Sequence, residues 1–229
     1  MSTGSDKDSR PNGAHLNGNG VLHTPDADED DEAPDSPAEE LPERDFEPAP
    51  AAVAELSASC ARFVLAKYGV PLDGTSDTLS ILDQYVRDAR ADLVIQPASL
   101  PLLEATIGAY LGEVLRRAFD ATWFADGDHD AWRLDFHEVY LTFNPVGMAR
   151  EALTLGEAEG YHAHLEMDDA EKDEIMARLA RLPEVANDEF YAPSTRFDVV
   201  ELAVEALRAR AQASGVADVR FTVEDYRRK

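Results

Sequence analysis

The 229-residue chain carries 46 acidic residues against 21 basic ones, a formal net charge of −25, with 44% hydrophobic and 8% aromatic content. Length and apolar fraction suffice for a buried core in one large domain or two small ones. The charge disfavours contact with DNA, RNA or anionic membranes and favours basic partner surfaces or cations. The excess is not confined to one end. Residues 1–50 hold 14 acids and 3 bases (Lys7, Arg10, Arg44), net −11, which leaves −14 of the total −25 for the remainder.

Cys60 is the single cysteine, so an intramolecular disulfide and a multi-cysteine zinc site are excluded and a cytoplasmic location is expected. No apolar segment follows the first basic residues, and no run reaches the roughly 18 apolar residues of a membrane span. Neither a secretory signal nor membrane insertion is expected. Arg outnumbers Lys by 17 to 4, a bias typical of GC-rich bacterial genomes.

Residues 1–48 combine Ser, Asn, Gly and acid with prolines at 25, 34, 37, 42 and 48. So little apolar surface cannot offset the entropy of ordering, and a disordered acidic tail is expected. It serves either as a solubilising segment or as an accessible handle for docking or regulated proteolysis. From Ala51 to Tyr68, Val53, Leu56, Cys60, Phe63 and Val64 recur at helical spacing up to Gly69 and Pro71. Cys60 falls on the inward stripe, as a buried structural thiol would. Thr75-Ser76-Asp77 offers an N-cap for a second helix, marked by Leu79, Leu82, Tyr85, Val86 and Ala89 and reaching about Ala91. A third begins near Ser99, tolerates Pro101 in its first turn, and runs through Leu102, Ile107, Tyr110, Leu111, Val114 and Leu115 to Ala118.

After Trp123 and a turn-rich Asp126-Gly127-Asp128-His129-Asp130, the segments Trp132–Phe136 and Val139–Phe143 predict a hairpin. A short helix is expected over Val146–Leu155 and another from Asp168 to about Leu182, ended by Pro183. Ser194-Thr195 is read as the cap of a further helix, and the alternation Val219, Phe221, Val223 as a closing strand. The fold class is therefore α+β: a helix-rich single domain over 51–229, packed on a small antiparallel β-hairpin or sheet.

Gly108 and Gly112 share one face of the third helix, and each costs about 1 kcal/mol of helix propensity against Ala. Close approach of a neighbouring element is the simplest compensation. Glu113 either forms an exposed pair with Arg117 or, half-buried, accepts an indole proton from Trp123 or Trp132. Gly-x-Tyr-Leu-Gly-Glu on a helix, a Trp about ten residues on, a hairpin and an Asn-Pro entry to a helix resemble a group of small bacterial domains of unknown function, several of them in accessory or immunity-like proteins. The matching positions are Gly108, Tyr110, Gly112, Glu113, Trp123, Asn144 and Pro145. The resemblance implies a fold and supplies no catalytic residue.

Asp126, Asp128 and Asp130 alternate like the start of a calcium loop, but the sixth position is Ala131 rather than Gly and the twelfth is His137. A polar turn is the competing reading. In His162-Ala163-His164, alternation would place both imidazoles on one side of an extended segment, near Glu166 and Asp168, a spacing usable for zinc. An exposed loop fits the same residues. No Gly-x-Ser-x-Gly elbow or phosphate-cradling loop occurs, so no catalytic, cofactor or metal residue is expected. These features predict a non-enzymatic cytoplasmic protein-binding module, an inhibitor, immunity-type or regulatory adaptor whose acidic surface meets a basic partner protein. The alternatives are a metal-assisted hydrolase using His162 and His164 with metal-bound water as nucleophile, and an acidic mimic of nucleic acid.

Overall fold

The computed structural model describes residues 47–181 and 183–227. The disorder expected for residues 1–48 concerns a segment outside the described residues, apart from its last two.

Helix α1 (Ala51–Tyr68) buries Val53, Cys60 and Val64 and ends where Gly69, at φ 71°, donates its N–H to the Leu65 carbonyl over 2.8 Å. A left-handed residue at that position closes a helix without the penalty a β-carbon would bring. Thr75 accepts the Asp77 N–H and starts a 3₁₀ turn that leads into α2 (Leu79–Ile95), longer by a turn than its apolar pattern indicates. A second 3₁₀ turn over Pro97–Ser99 then turns the chain into α3 (Leu100–Phe119). This helix is the centre of the molecule, with burial running almost unbroken from Glu104 to Arg116. It packs chiefly against α1 on one flank and α4 (Pro145–Thr154) on the other. A helix buried all round needs small residues wherever a neighbour comes close.

The expected hairpin is present as β2 (Arg133–Phe136) and β3 (Leu141–Phe143), within a four-stranded antiparallel meander. Its outer members are β1 (Ala121–Phe124), pairing Trp123 with Leu134, and the two-residue β4 (Glu166–Met167), pairing Met167 with Leu141. Residues 139 and 140 belong to the turn, so the third strand is shorter than its apolar run. Helix α5 (Asp169–Leu179) follows β4, and the four-residue α6 (Asn187–Phe190) precedes the long α7 (Pro193–Ala213), which lies against α2 and α5. A line of rings, Phe197 on Phe119 at 5.4 Å, Phe119 on Phe136 at 6.2 Å and Phe136 on Phe143 at 5.7 Å, joins α7, α3 and the sheet in one core.

Two expectations are corrected. Ser194-Thr195 does not cap α7: Ala192 holds the cap position and Pro193 the first turn, while the Ser194 hydroxyl donates to Asp83 on α2 over 2.5 Å. The closing strand over Val219–Val223 is absent. Phe221 makes one backbone bond, to the His137 carbonyl at 2.8 Å, and Thr222 and Asp225 then form a capping box that opens α8 (Val223–Tyr226). Tyr226 fastens this helix to the β2–β3 turn, donating to the Phe136 carbonyl (2.6 Å) and accepting the Leu141 N–H (3.2 Å). Among the described residues, no helix is long and apolar enough to cross a membrane.

Candidate functional site

The glycine face of α3 is a joint. A β-carbon at Gly108 would stand 2.4 Å from the Val146 α-carbon, and one at Gly112 only 2.1 Å from the Trp123 ring, so only glycine admits α4 and β1 this close. Trp123 then donates its indole N–H to Glu113 over 2.9 Å. Glu113 is buried and holds Arg116 by two bonds of 2.8 and 3.1 Å, and the expected pair with half-exposed Arg117 is also present, at 3.6 Å. The sequence offers indole acceptance, from Trp123 or Trp132, as the alternative to the Arg117 pair and leaves out Arg116, which also donates to the Glu47 carbonyl at 2.8 Å.

Asn144 explains the Asn-Pro entry. Its side-chain oxygen accepts the N–H groups of Val146 (2.8 Å) and Gly147 (3.3 Å), while its amide donates to the carbonyls of His129 (2.8 Å) and Asp130 (3.1 Å). One side chain thus caps α4 and pins the 126–131 turn to it. Of the resembling positions, only Tyr110 faces away from the joint, accepting the Gly74 N–H at 2.9 Å. The motif builds a scaffold.

The segment after α4 is laid over that helix. A β-carbon at Gly147 would meet Tyr161 at 2.8 Å and Ala163 at 2.9 Å, which seats the 156–165 loop directly on α4. Glu104 on α3 reaches out to it, accepting from the Tyr161 hydroxyl and from Arg150, both at 2.8 Å, and the Arg150 guanidinium lies 5.2 Å from the Tyr161 ring centre. Burial, then the Glu104 carboxylate, push the Tyr161 phenol above its usual value. Glu151, 1% exposed, accepts from Arg196 of α7 at 2.7 Å and from the Ala158 N–H at 3.4 Å. The Arg196 guanidinium lies 4.6 Å from Phe190 and 5.0 Å from Tyr191, and burial lowers its pKa against the opposing pull of Glu151. Asp83 binds the start of α7, and Asp135 binds Thr142 (2.7 Å) and Arg133 (3.0 Å) within the sheet. Burial still raises the Asp135 carboxyl. All five buried acids of the described residues, Asp83, Glu104, Glu113, Asp135 and Glu151, therefore tie one segment to another.

The histidine pair does not converge. His162 is left-handed (φ 51°), not extended, so alternation fails at that residue. Its Nδ1 sits 3.0 Å from Glu166, whereas His164 Nε2 lies 3.9 Å from Glu151. Asp126, Asp128 and Asp130 are exposed, and the carbonyl of Asp128 closes a short 3₁₀ turn with Ala131. Among the described residues no three or more His, Cys, Asp or Glu side chains are gathered closely enough to hold a metal ion. Cys60 is fully buried, and burial pushes its thiol up to about 12.

What remains at the surface is charge. Residues 156–189 contain eleven acids and three bases, net −8, and Glu157, Glu159, Glu166, Asp169, Asp173 and Glu174 are exposed. Met176 and Val185 are also exposed in this stretch, at 50 and 41%, and Phe190 just after it at 45%. Around the far end of α7, a cavity of about 380 Å³ is lined by Glu138, Arg208 and Arg220, whose charges are engaged with one another or with Asp120.

The model of a family of unknown function (DUF6278) matches residues 26–134, which includes α1, α2, α3 and β1 and reaches into β2. The glycine pair, Glu113 and Trp123 lie inside the match, and Asn144, Pro145 and the acidic 156–189 segment lie beyond it. No curated protein and no solved structure matches the chain.

Proposed function

We propose that this chain is a non-enzymatic protein-binding module, of inhibitor, immunity-type or regulatory-adaptor kind, that meets a basic partner surface through the exposed acids of residues 156–189. The observation that carries the reading is a division of labour among carboxylates. The five buried ones are consumed in holding α3, α4, α7 and the sheet together, whereas most of those in the 156–189 segment are exposed, as is apolar Met176 on α5. Complementary charge across an interface raises association rate and selectivity. The buried, unreactive Cys60 suits a reducing cytoplasm.

The test is affinity capture from native cytosol with the full chain and with a variant carrying Glu157→Gln, Glu159→Gln, Asp169→Asn and Asp173→Asn. The expected result is a partner with a basic surface, retained at low salt, released at raised salt and missing from the variant's eluate. A partner held equally by both proteins at every salt concentration, or none at all, overturns the reading.

A further inference from the structure

We propose that the cavity between the end of α7, the β2–β3 turn and the segment that follows α7 binds a zwitterionic α-amino acid with an aliphatic side chain. The cavity has two adjoining parts. The first, about 380 Å³, carries the charged residues Glu138, Arg208, Asp218 and Arg220 on its walls. The second, about 250 Å³, is largely apolar, with Val139, Leu207, Val216 and Phe221 around it, and its own base and acid, Arg210 and Glu171, are tied to each other at 3.4 Å. Glu138, Ala211 and Val219 belong to both parts, so one ligand spans them. The walls are held by bonds internal to the domain. Val216 donates its N–H to the Ala211 carbonyl at 2.9 Å and Phe221 to the His137 carbonyl at 2.8 Å, His137 Nδ1 lies 3.0 Å from the Phe221 carbonyl, and Arg220 pairs with Asp120 at 2.5 Å. A site already fixed loses little entropy on binding.

Charge selects the ligand. A simple anion would meet Glu138 and Asp218, and a simple cation would meet Arg208 and Arg220. A ligand that carries both charges matches all four, and with no net charge it approaches a molecule of net −25 without repulsion. Arg208 meets Glu138, and Arg220 meets Asp120, through Nη2, and neither arginine side chain is buried. Arg208 Nε has no hydrogen-bond partner among the described residues. A guanidinium has several N–H donors in one plane, so each arginine keeps donors for a ligand carboxylate. Asp218 is exposed and makes no ion pair among the described residues, which leaves its carboxylate for the ammonium. The apolar part then selects the side chain. Val139 and Leu207 are buried, whereas Val216 and Val219 are 49 and 48% exposed and are covered by an aliphatic group bound between them and α7.

Four probes separate the parts of the ligand: L-leucine, isocaproate, which lacks the ammonium, isoamylamine, which lacks the carboxylate, and glycine, which lacks the side chain. Titration calorimetry of the full chain is expected to show saturable binding of leucine, with each of the other three weaker by about tenfold or more, the cost of one unmatched group. Asp218→Asn and Arg220→Gln should each weaken leucine binding by about tenfold. Asp218 supports no other residue, so its variant should keep the circular dichroism spectrum and the urea midpoint of the parent. Absence of heat with leucine, or leucine binding unchanged in Asp218→Asn, overturns the proposal. So does isocaproate, isoamylamine or glycine binding as tightly as leucine, and the isocaproate result would assign the cavity to simple carboxylates. Partner capture through residues 156–189 is read with different variants and a different measurement, so the two proposals fail separately.

Discussion

Adding one carbon at Gly112 tests the joint more sharply than any larger change. In an exposed helix, Gly→Ala gains about 1 kcal/mol. Here the new carbon would lie 2.1 Å from Trp123 and 3.1 Å from Pro145. The indole must swing away and surrender its bond to Glu113, which leaves a buried carboxylate short of one donor. Gly112→Ala is therefore expected to destabilise the domain by about 2–4 kcal/mol, seen as a lower urea midpoint at unchanged slope. Gly108→Ala meets backbone at 2.4 Å, which cannot rotate aside, and should cost at least as much. Gly156→Ala, with nothing within 4 Å, is the control and should stay within about 0.5 kcal/mol of the parent. Equal midpoints for Gly112→Ala and Gly156→Ala would refute the close approach.

The buried ion pairs act between elements. Glu151 and Arg196 join α4 to α7 across 45 residues of sequence. Glu151→Gln keeps the volume but leaves the guanidinium buried against Phe190 and Tyr191 without a counter-charge, an expected loss of about 3–5 kcal/mol. Adding Arg196→Met should recover part of it, because two neutral side chains bury more cheaply than one unpaired charge. A double-mutant cycle by urea denaturation reads the coupling, and strictly additive losses would show that the pair does not act as a clasp. The same distances separate what the sequence discloses from what it hides. α1 and α3 follow from apolar spacing, and the Glu113–Trp123 bond, between residues ten apart on adjoining elements, is within reach of the sequence as one of the alternatives it leaves open. Glu104–Tyr161, 57 apart, and Asp83–Ser194, 111 apart, depend on the finished topology, so Ser194 looked like a cap when it was a partner for α2. β1 follows α3 after a single left-handed residue, Asp120, and β4 has only two residues, too few for alternation to register. His162 and His164 meet different acids, and the left-handed backbone of His162 that breaks the alternation is not revealed by spacing alone.

For the whole molecule, charge pulls in two directions. Residues 51–229 alone carry a formal −14 of the total −25, which repels itself in the compact state, and salt relieves that repulsion. Surface pairs such as Arg210 with Glu174 at 2.5 Å and Lys67 with Asp88 at 3.3 Å are weakened by the same salt. Exposed pairs contribute only about 0–1 kcal/mol each. The clasps of Glu113, Glu104 and Glu151 are buried on the acid's side and are screened much less. Relief of long-range repulsion should then dominate, and the thermal midpoint at pH 7 is expected to rise with NaCl up to a few tenths molar, then level off as the screening length falls to about 3 Å near 1 M. Differential scanning calorimetry at a fixed low protein concentration checks this apart from self-association, whose stabilisation depends on protein concentration. A midpoint that falls with salt would mean that the surface pairs outweigh the net charge.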